Sequence, residues 1–119
     1  MTQNNITDIE KCARLMGYER RRIDSSGAVL IPGRISGEWE FNPRTNKGDL
    51  VDVETELEIS VWWFQNEEVN AHLNGYSINR SLTALEVLSN HPTKFAARAE
   101  AVIAVAVQIY DAKYGKDGE

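Results

Sequence analysis

Trp39-Glu40-Phe41-Asn42-Pro43-Arg44-Thr45-Asn46 runs an alternating aromatic strand into an Asn-Pro turn, and Lys47-Gly48-Asp49-Leu50 continues it as the opening of a helix. Side chains alternate along a strand, so Trp39 and Phe41 share a face. Pro43 holds Asn42 extended and ends the strand, because a residue before proline is pushed away from the helical region. Thr45 or Asn46 then caps a helix whose first turn carries Asp49, an acid placed against the positive end of the helix dipole. Leu50, Val53 and Leu57 recur at helical spacing as its apolar stripe, with Asp49, Asp52 and Glu56 expected on the opposite, solvated side. A strand handed directly to a helix through a short turn is the signature of a mixed α and β domain.

Upstream, Thr7 followed three residues later by Glu10 is a capping-box pattern, and Ile9, Cys12, Ala13 and Met16 fall on one helical face. Gly17 is placed to end that helix in the left-handed conformation. Tyr18 to Ile23 and Ala28 to Ile31 read as two strands around the turn Asp24-Ser25-Ser26-Gly27, the second finishing at Pro32, which has no N–H for a ladder. Downstream, Ile59-Ser60-Val61-Trp62-Trp63-Phe64 is the strongest strand signal in the chain. Aromatics occupy both of its faces, so it reads as a central strand with helices on one side and a layer or partner on the other. Val69, Ala71 and Leu73 give the next strand, and Asn74-Gly75 signals a hairpin turn into Tyr76 to Ile78. Thr83 with Glu86 repeats the capping-box spacing, favouring a short helix over Leu82 to Leu88.

Thr93 starts the longest element, a helix from Lys94 to about Tyr114 stopped by Gly115. Phe95, Ala99, Val102, Ala106 and Ile109 form one stripe, and Ala96, Ile103, Val107 and Tyr110 an adjoining one. A helix apolar all round is buried on more than one side, here against the sheet and a second helix or subunit. The expected fold is α+β: one mixed, mainly antiparallel sheet of four to five strands layered with helices, with a long C-terminal helix. The 119 residues suit a single domain, with residues 1–5 and 116–119 frayed.

Residues Leu15-Met16-Gly17-Tyr18, Trp39 to Thr45, Asp49-Leu50, Ala96 to Ala99 and Ala104-Val105-Ala106 follow an order that resembles the small bacteriophage and prophage proteins grouped as the phage ABA sandwich domain. The segment Tyr76 to Pro92 is longer than in that pattern. The resemblance implies a layered helix-sheet-helix fold and a phage accessory gene, with no activity to carry over residue by residue.

Composition bounds the chemistry. Hydrophobic residues make up 42% and charged residues 26%, an ordinary globular balance. Cys12 is the single cysteine, which excludes an internal disulfide framework and fits a reducing cytoplasm. Met1 to Asn5 lacks the charged-then-apolar pattern of a secretory signal, and Ala101 to Val107 is too short to span a bilayer. The formal charge of −5 is unevenly spread: residues 1–47 carry eight basic and six acidic groups, residues 48–79 seven acidic and no basic. That block disfavours phosphate backbones and steers basic protein surfaces. Asp49, Asp52, Glu56, Glu67, Glu68 and Trp62 are therefore the candidate contacts for a partner protein. A second nucleic-acid reading rests on Arg20, Arg22, Arg34 and Arg44, although in a strand Arg21 points away from Arg20 and Arg22.

No phosphate-binding glycine loop, metal-ligand spacing or nucleophile with a base partner is present, so no cofactor and no metal is expected. A hydrolase or metal enzyme would need folding to bring His72 or His91 beside carboxylates in a pocket. The leading expectation is a non-enzymatic phage or prophage accessory protein that binds a host protein, a defence or regulatory protein among the candidates. It is expected in the host cytoplasm as a homo-dimer.

Overall fold

In the computed structural model, the described residues are 6–33, 36–73 and 83–114. The expectations for Arg34, the Asn74-Gly75 turn, the strand Tyr76 to Ile78, the Gly115 stop and the frayed ends lie outside them.

Helix α1 spans Asp8–Leu15. Thr7 caps it, its Oγ1 accepting from the Glu10 N–H at 3.1 Å, as the capping box requires. Gly17, at φ +84°, ends it: the Gly17 N–H donates to Arg14 O and the Tyr18 N–H to Ala13 O, the paired bonds of a Schellman motif. Because the chain spends Tyr18 on that motif, the first strand is shorter than its residue types suggest. Strands β1 (Arg22–Ile23), β2 (Val29–Pro32) and β3 (Glu38–Phe41) form an antiparallel sheet in that order, with Ile31 opposite Trp39 and Val29 opposite Phe41. Tyr18, Trp39 and Phe41 meet edge to face at centroid distances of 5.3 to 6.2 Å, a favoured aromatic geometry.

The turn after β3 is organised around Asn42. Its Oδ1 accepts from the Arg44 N–H at 3.0 Å, and its carbonyl accepts from the Thr45 and Asn46 N–H groups. Asn46 is the cap of helix α2 (Lys47–Leu57), its side chain accepting from the Asp49 N–H at 2.9 Å. Leu50 and Val53 are buried and Leu57 half-buried, as the stripe predicts. Asp49 departs from expectation. It is only 7% exposed, and its carboxylate turns back to accept the Asn42 N–H at 2.8 Å. The acid closes the turn that precedes its own helix.

Strands β4 (Ile59–Phe64), β5 (Glu68–Leu73) and β6 (Thr83–Val87) make a second antiparallel sheet, with β5 in the middle. Three expectations change here. Among the described residues the predicted sheet of four to five strands is two sheets of three, and β4 stands at an edge rather than at the centre. The predicted helix over Leu82 to Leu88 is instead β6 and a single 3₁₀ turn, Leu88–Asn90. A seven-residue segment gains little from helix formation because nucleation is costly, whereas β5 offers a complete ladder from Glu68↔Val87 to His72↔Thr83. The local capping signal loses to a non-local partner.

Helix α3, Lys94–Tyr114, is the centre of the core. Thr93 caps it, Oγ1 accepting from the Ala96 N–H at 3.0 Å. It contacts α1, α2 and all three strands of the second sheet, so Ala97, Ala101, Val102, Ile103, Val105 and Ala106 are all buried. Its all-round apolar character is thus met within one chain. Lys11 with Asp111 at 3.3 Å and Arg14 Nη1 donating to the Tyr110 hydroxyl at 2.8 Å clamp α1 to its C-terminal half, while α1 also touches β2. The Gln108 side chain donates to Thr83 O at 2.6 Å and fastens β6 to the same helix. Among the described residues no helix is long and apolar enough to cross a membrane.

Candidate functional site

Register decides what the second sheet presents. Ile59, Val61 and Trp63 of β4, with Val69 and Ala71 of β5, join the core around α3. The alternate positions form the other face in three cross-strand rows: Ser60, His72 and Thr83; Trp62, Asn70 and Leu85; Phe64, Glu68 and Val87. Trp62, Phe64 and Leu85 remain 48%, 54% and 50% exposed. Three large apolar side chains on one face with, among the described residues of its rows, a single carboxylate and no lysine or arginine make a surface suited to another macromolecule. The Trp62 ring stands edge-on to His72 at 4.8 Å, and His72 Nδ1 is buried there without a hydrogen-bond partner among the described residues.

The hairpin joining β4 to β5 projects beyond this face. Gln65 and Asn66 both have positive φ, 54° and 58°, as the two central positions of a type I′ turn require, and the Glu67 N–H returns to Phe64 O at 3.0 Å. Glu67 is thereby exposed at the tip, and Glu68 half-buried beside Phe64.

The six residues expected to meet a partner divide accordingly. Trp62, Glu67 and Glu68 lie together on or beside the open face. Asp52 and Glu56 are exposed on α2, close enough to Tyr18 to help burial raise its phenol above the ordinary range, with Asp49 contributing between them. Asp49 is structural. Burial, the dominant cause, holds its carboxyl above the ordinary range, reinforced by Asp52 and Glu40 and opposed by the Asn42 N–H. Glu54, a further member of the acidic block, takes a bidentate contact from Arg98 at 2.7 and 2.8 Å. Two of the seven acids between residues 48 and 79 are therefore committed internally.

Two of the four candidate arginines are engaged too. Arg22 grips Glu38 through Nε and Nη2 at 3.1 and 2.7 Å across the first sheet. Arg44 binds Glu100 of α3, with Asp8 of α1 at 3.9 Å, and so ties the β3–α2 turn to two helices. Arg20 is exposed in the loop after α1, outside the expected strand. Arg22 and Arg44 thus have their charge balanced within the fold, whereas Arg20 faces solvent.

His91 Nε2 lies 2.8 Å from Glu86 Oε1, one histidine with one carboxylate. No three His, Cys, Asp or Glu side chains come together to hold a metal ion among the described residues. Cys12 is buried under α3, and burial, then Asp8, pushes its thiol up to about 12, far from the thiolate a nucleophile needs. Leu85 is hidden from a sequence reading because the Thr83–Glu86 capping spacing marks its segment as helical. The only signal for it was the two-residue spacing of Leu85 and Val87. No protein-family model matches the chain, and no curated protein matches its sequence.

Proposed function

We propose that this chain acts by binding another protein through the open face of its second sheet. Trp62, Phe64 and Leu85 supply the apolar centre, and Glu67 and Glu68 the adjoining charge. The observation that carries this reading is the half-exposure of those three large side chains on one face. Aromatic anchors at the centre of a patch supply most interface energy, while peripheral charge governs encounter rate and orientation.

The occupant best matched to this surface is a partner with its own apolar patch flanked by lysine or arginine. Glu68 on the face and Glu67 on its hairpin are the ionised side chains these described residues carry, with the Lys94 ammonium reaching the hairpin at Asn66 Oδ1, 3.4 Å away. A second copy would set like charges against each other. In the setting of the phage accessory proteins that the sequence resembles, such a partner is a host protein, and a defence or regulatory protein is the proposed class.

Capture from bacterial lysate by the wild type and by the triple variant Trp62→Ser, Phe64→Ser, Leu85→Ser tests the face. Partners retained by the wild type and lost by the triple variant are expected, with weaker capture at high salt or after Glu67→Lys. Equal capture by both chains refutes the reading. Sedimentation of the purified chain decides the occupant, since a wild-type dimer that the triple variant abolishes assigns the face to a second copy.

A further inference from the structure

A cavity of about 300 Å³ opens where the start of α2, the start of α3 and the end of β4 converge. Lys47, Trp63, Lys94, Phe95 and Arg98 line it, over a floor that includes buried Leu50. No acid is among the described lining residues. In a chain of net charge −5, this pocket has the opposite sign to the protein around it.

The state of each cation defines what is left for a ligand. Arg98 is balanced, with Nε and Nη2 both held by Glu54. Lys47 and Lys94 form no ion pair among the described residues. The Lys47 ammonium lies 6.0 Å from the centroid of the Phe95 ring, and that of Lys94 5.5 Å from the Trp63 ring. Lys94 has one further contact, a long bond to Asn66 Oδ1 at 3.4 Å. Ammonium groups resting on aromatic faces are weakly held and keep donors for an oxyanion, whose charge-assisted bonds are stronger.

We propose that this cavity binds a small organic anion: an oxyanion head, phosphate or carboxylate, on a flat apolar body. The head meets Lys47 and Lys94, and the body replaces them against Trp63 and Phe95. Space of about 300 Å³ corresponds to roughly ten water volumes at about 30 Å³ each, enough for one ring with its anionic group. Two ammonium groups lining one cavity favour a dianion over a monoanion. The site lies apart from the open face, because Trp63 points to the opposite side of β4 from Trp62 and Phe64.

Calorimetric titration with phenyl phosphate, benzoate, inorganic phosphate and benzyl alcohol tests the assignment. Phenyl phosphate is expected to bind at least tenfold more tightly than inorganic phosphate or benzyl alcohol, with benzoate between. Lys47→Gln and Lys94→Gln should each weaken phenyl phosphate by about tenfold and leave benzyl alcohol unchanged. Both lysines are exposed, so the variants should keep the wild-type melting temperature. Phe95→Leu, which preserves apolar volume but removes the ring, should weaken phenyl phosphate and spare inorganic phosphate. Phenyl phosphate binding no tighter than inorganic phosphate, or unaffected by both lysine substitutions, overturns the proposal.

Discussion

Replacing Asp49 separates the two things its carboxylate does. In Asp49→Ala the Asn42 N–H, now satisfied at 2.8 Å, loses its acceptor in a part-buried turn. An orphaned backbone donor costs about 1–3 kcal/mol, and the lost acid at the helix start adds about 0.3–1 kcal/mol. Relief from holding a charge in a buried site beside Asp52 and Glu40 offsets part of this, leaving a net loss of about 2 kcal/mol near pH 7. With unfolding entropy of about 2.1 cal/mol/K per residue over 119 residues, the melting temperature should fall by about 8 °C. Asp49→Asn keeps an oxygen acceptor and discards the charge, so it should stay within about 1 kcal/mol of wild type.

The pH dependence has a definite sign. The folded Asp49 carboxyl titrates above its ordinary value of 3.8, so the folded state holds the proton more tightly than the unfolded one. Its contribution is fully present below about pH 3.8 and is lost as pH rises through the folded pKa. Urea unfolding of wild type and Asp49→Asn between pH 3.5 and pH 7 should therefore show wild type losing ground to the variant as pH rises, then levelling. Wild type gaining ground across that window would mean that the Asn42 bond outweighs burial. An Asp49→Ala protein as stable as wild type would remove Asp49 from the turn altogether.

Two further substitutions and a chemical probe test other parts of the fold. Glu58, at φ 58° and ψ 49° after the last turn of α2, holds a left-handed conformation that costs a non-glycine residue about 1–2 kcal/mol. Glu58→Gly should raise stability in urea by about 0.5–1 kcal/mol after the added chain entropy of glycine, and a loss would contradict that strain. Cys12 should resist a thiol-specific disulfide reagent at pH 8 in the native protein and react at once in denaturant. Because its folded pKa is raised to about 12 from 9.0, stability should also decline as pH rises above about 9, and Cys12→Ala should blunt that decline.

Legibility in the sequence followed the range of the interactions. The Thr7 cap, the Gly17 stop, the Asn42-Pro43 turn, a cap at Thr45 or Asn46 and the extent of α3 were readable, since each depends on residues a few positions apart. Asp49 was misjudged although its partner is only seven residues away, because helical periodicity describes the helix surface and is silent on a side chain that turns back past its N-terminus. The position of β4, the strand character of Thr83–Val87 and the exposure of Leu85 depend on which strand found which edge. The grouping of Lys47 with Lys94 depends on two helix starts meeting. By itself, then, the sequence determined an α and β chain with defined caps, an aromatic-Asn-Pro junction and a helix destined for burial on several sides. Tertiary structure alone decided that the described strands divide into two sheets, that one of them leaves Trp62, Phe64 and Leu85 facing water, and that Lys47 and Lys94 line one cavity, each beside an aromatic ring. Caps and turns are written in local hydrogen-bond geometry, whereas ladders, faces and pockets form between segments whose separation along the chain carries no trace of their contact.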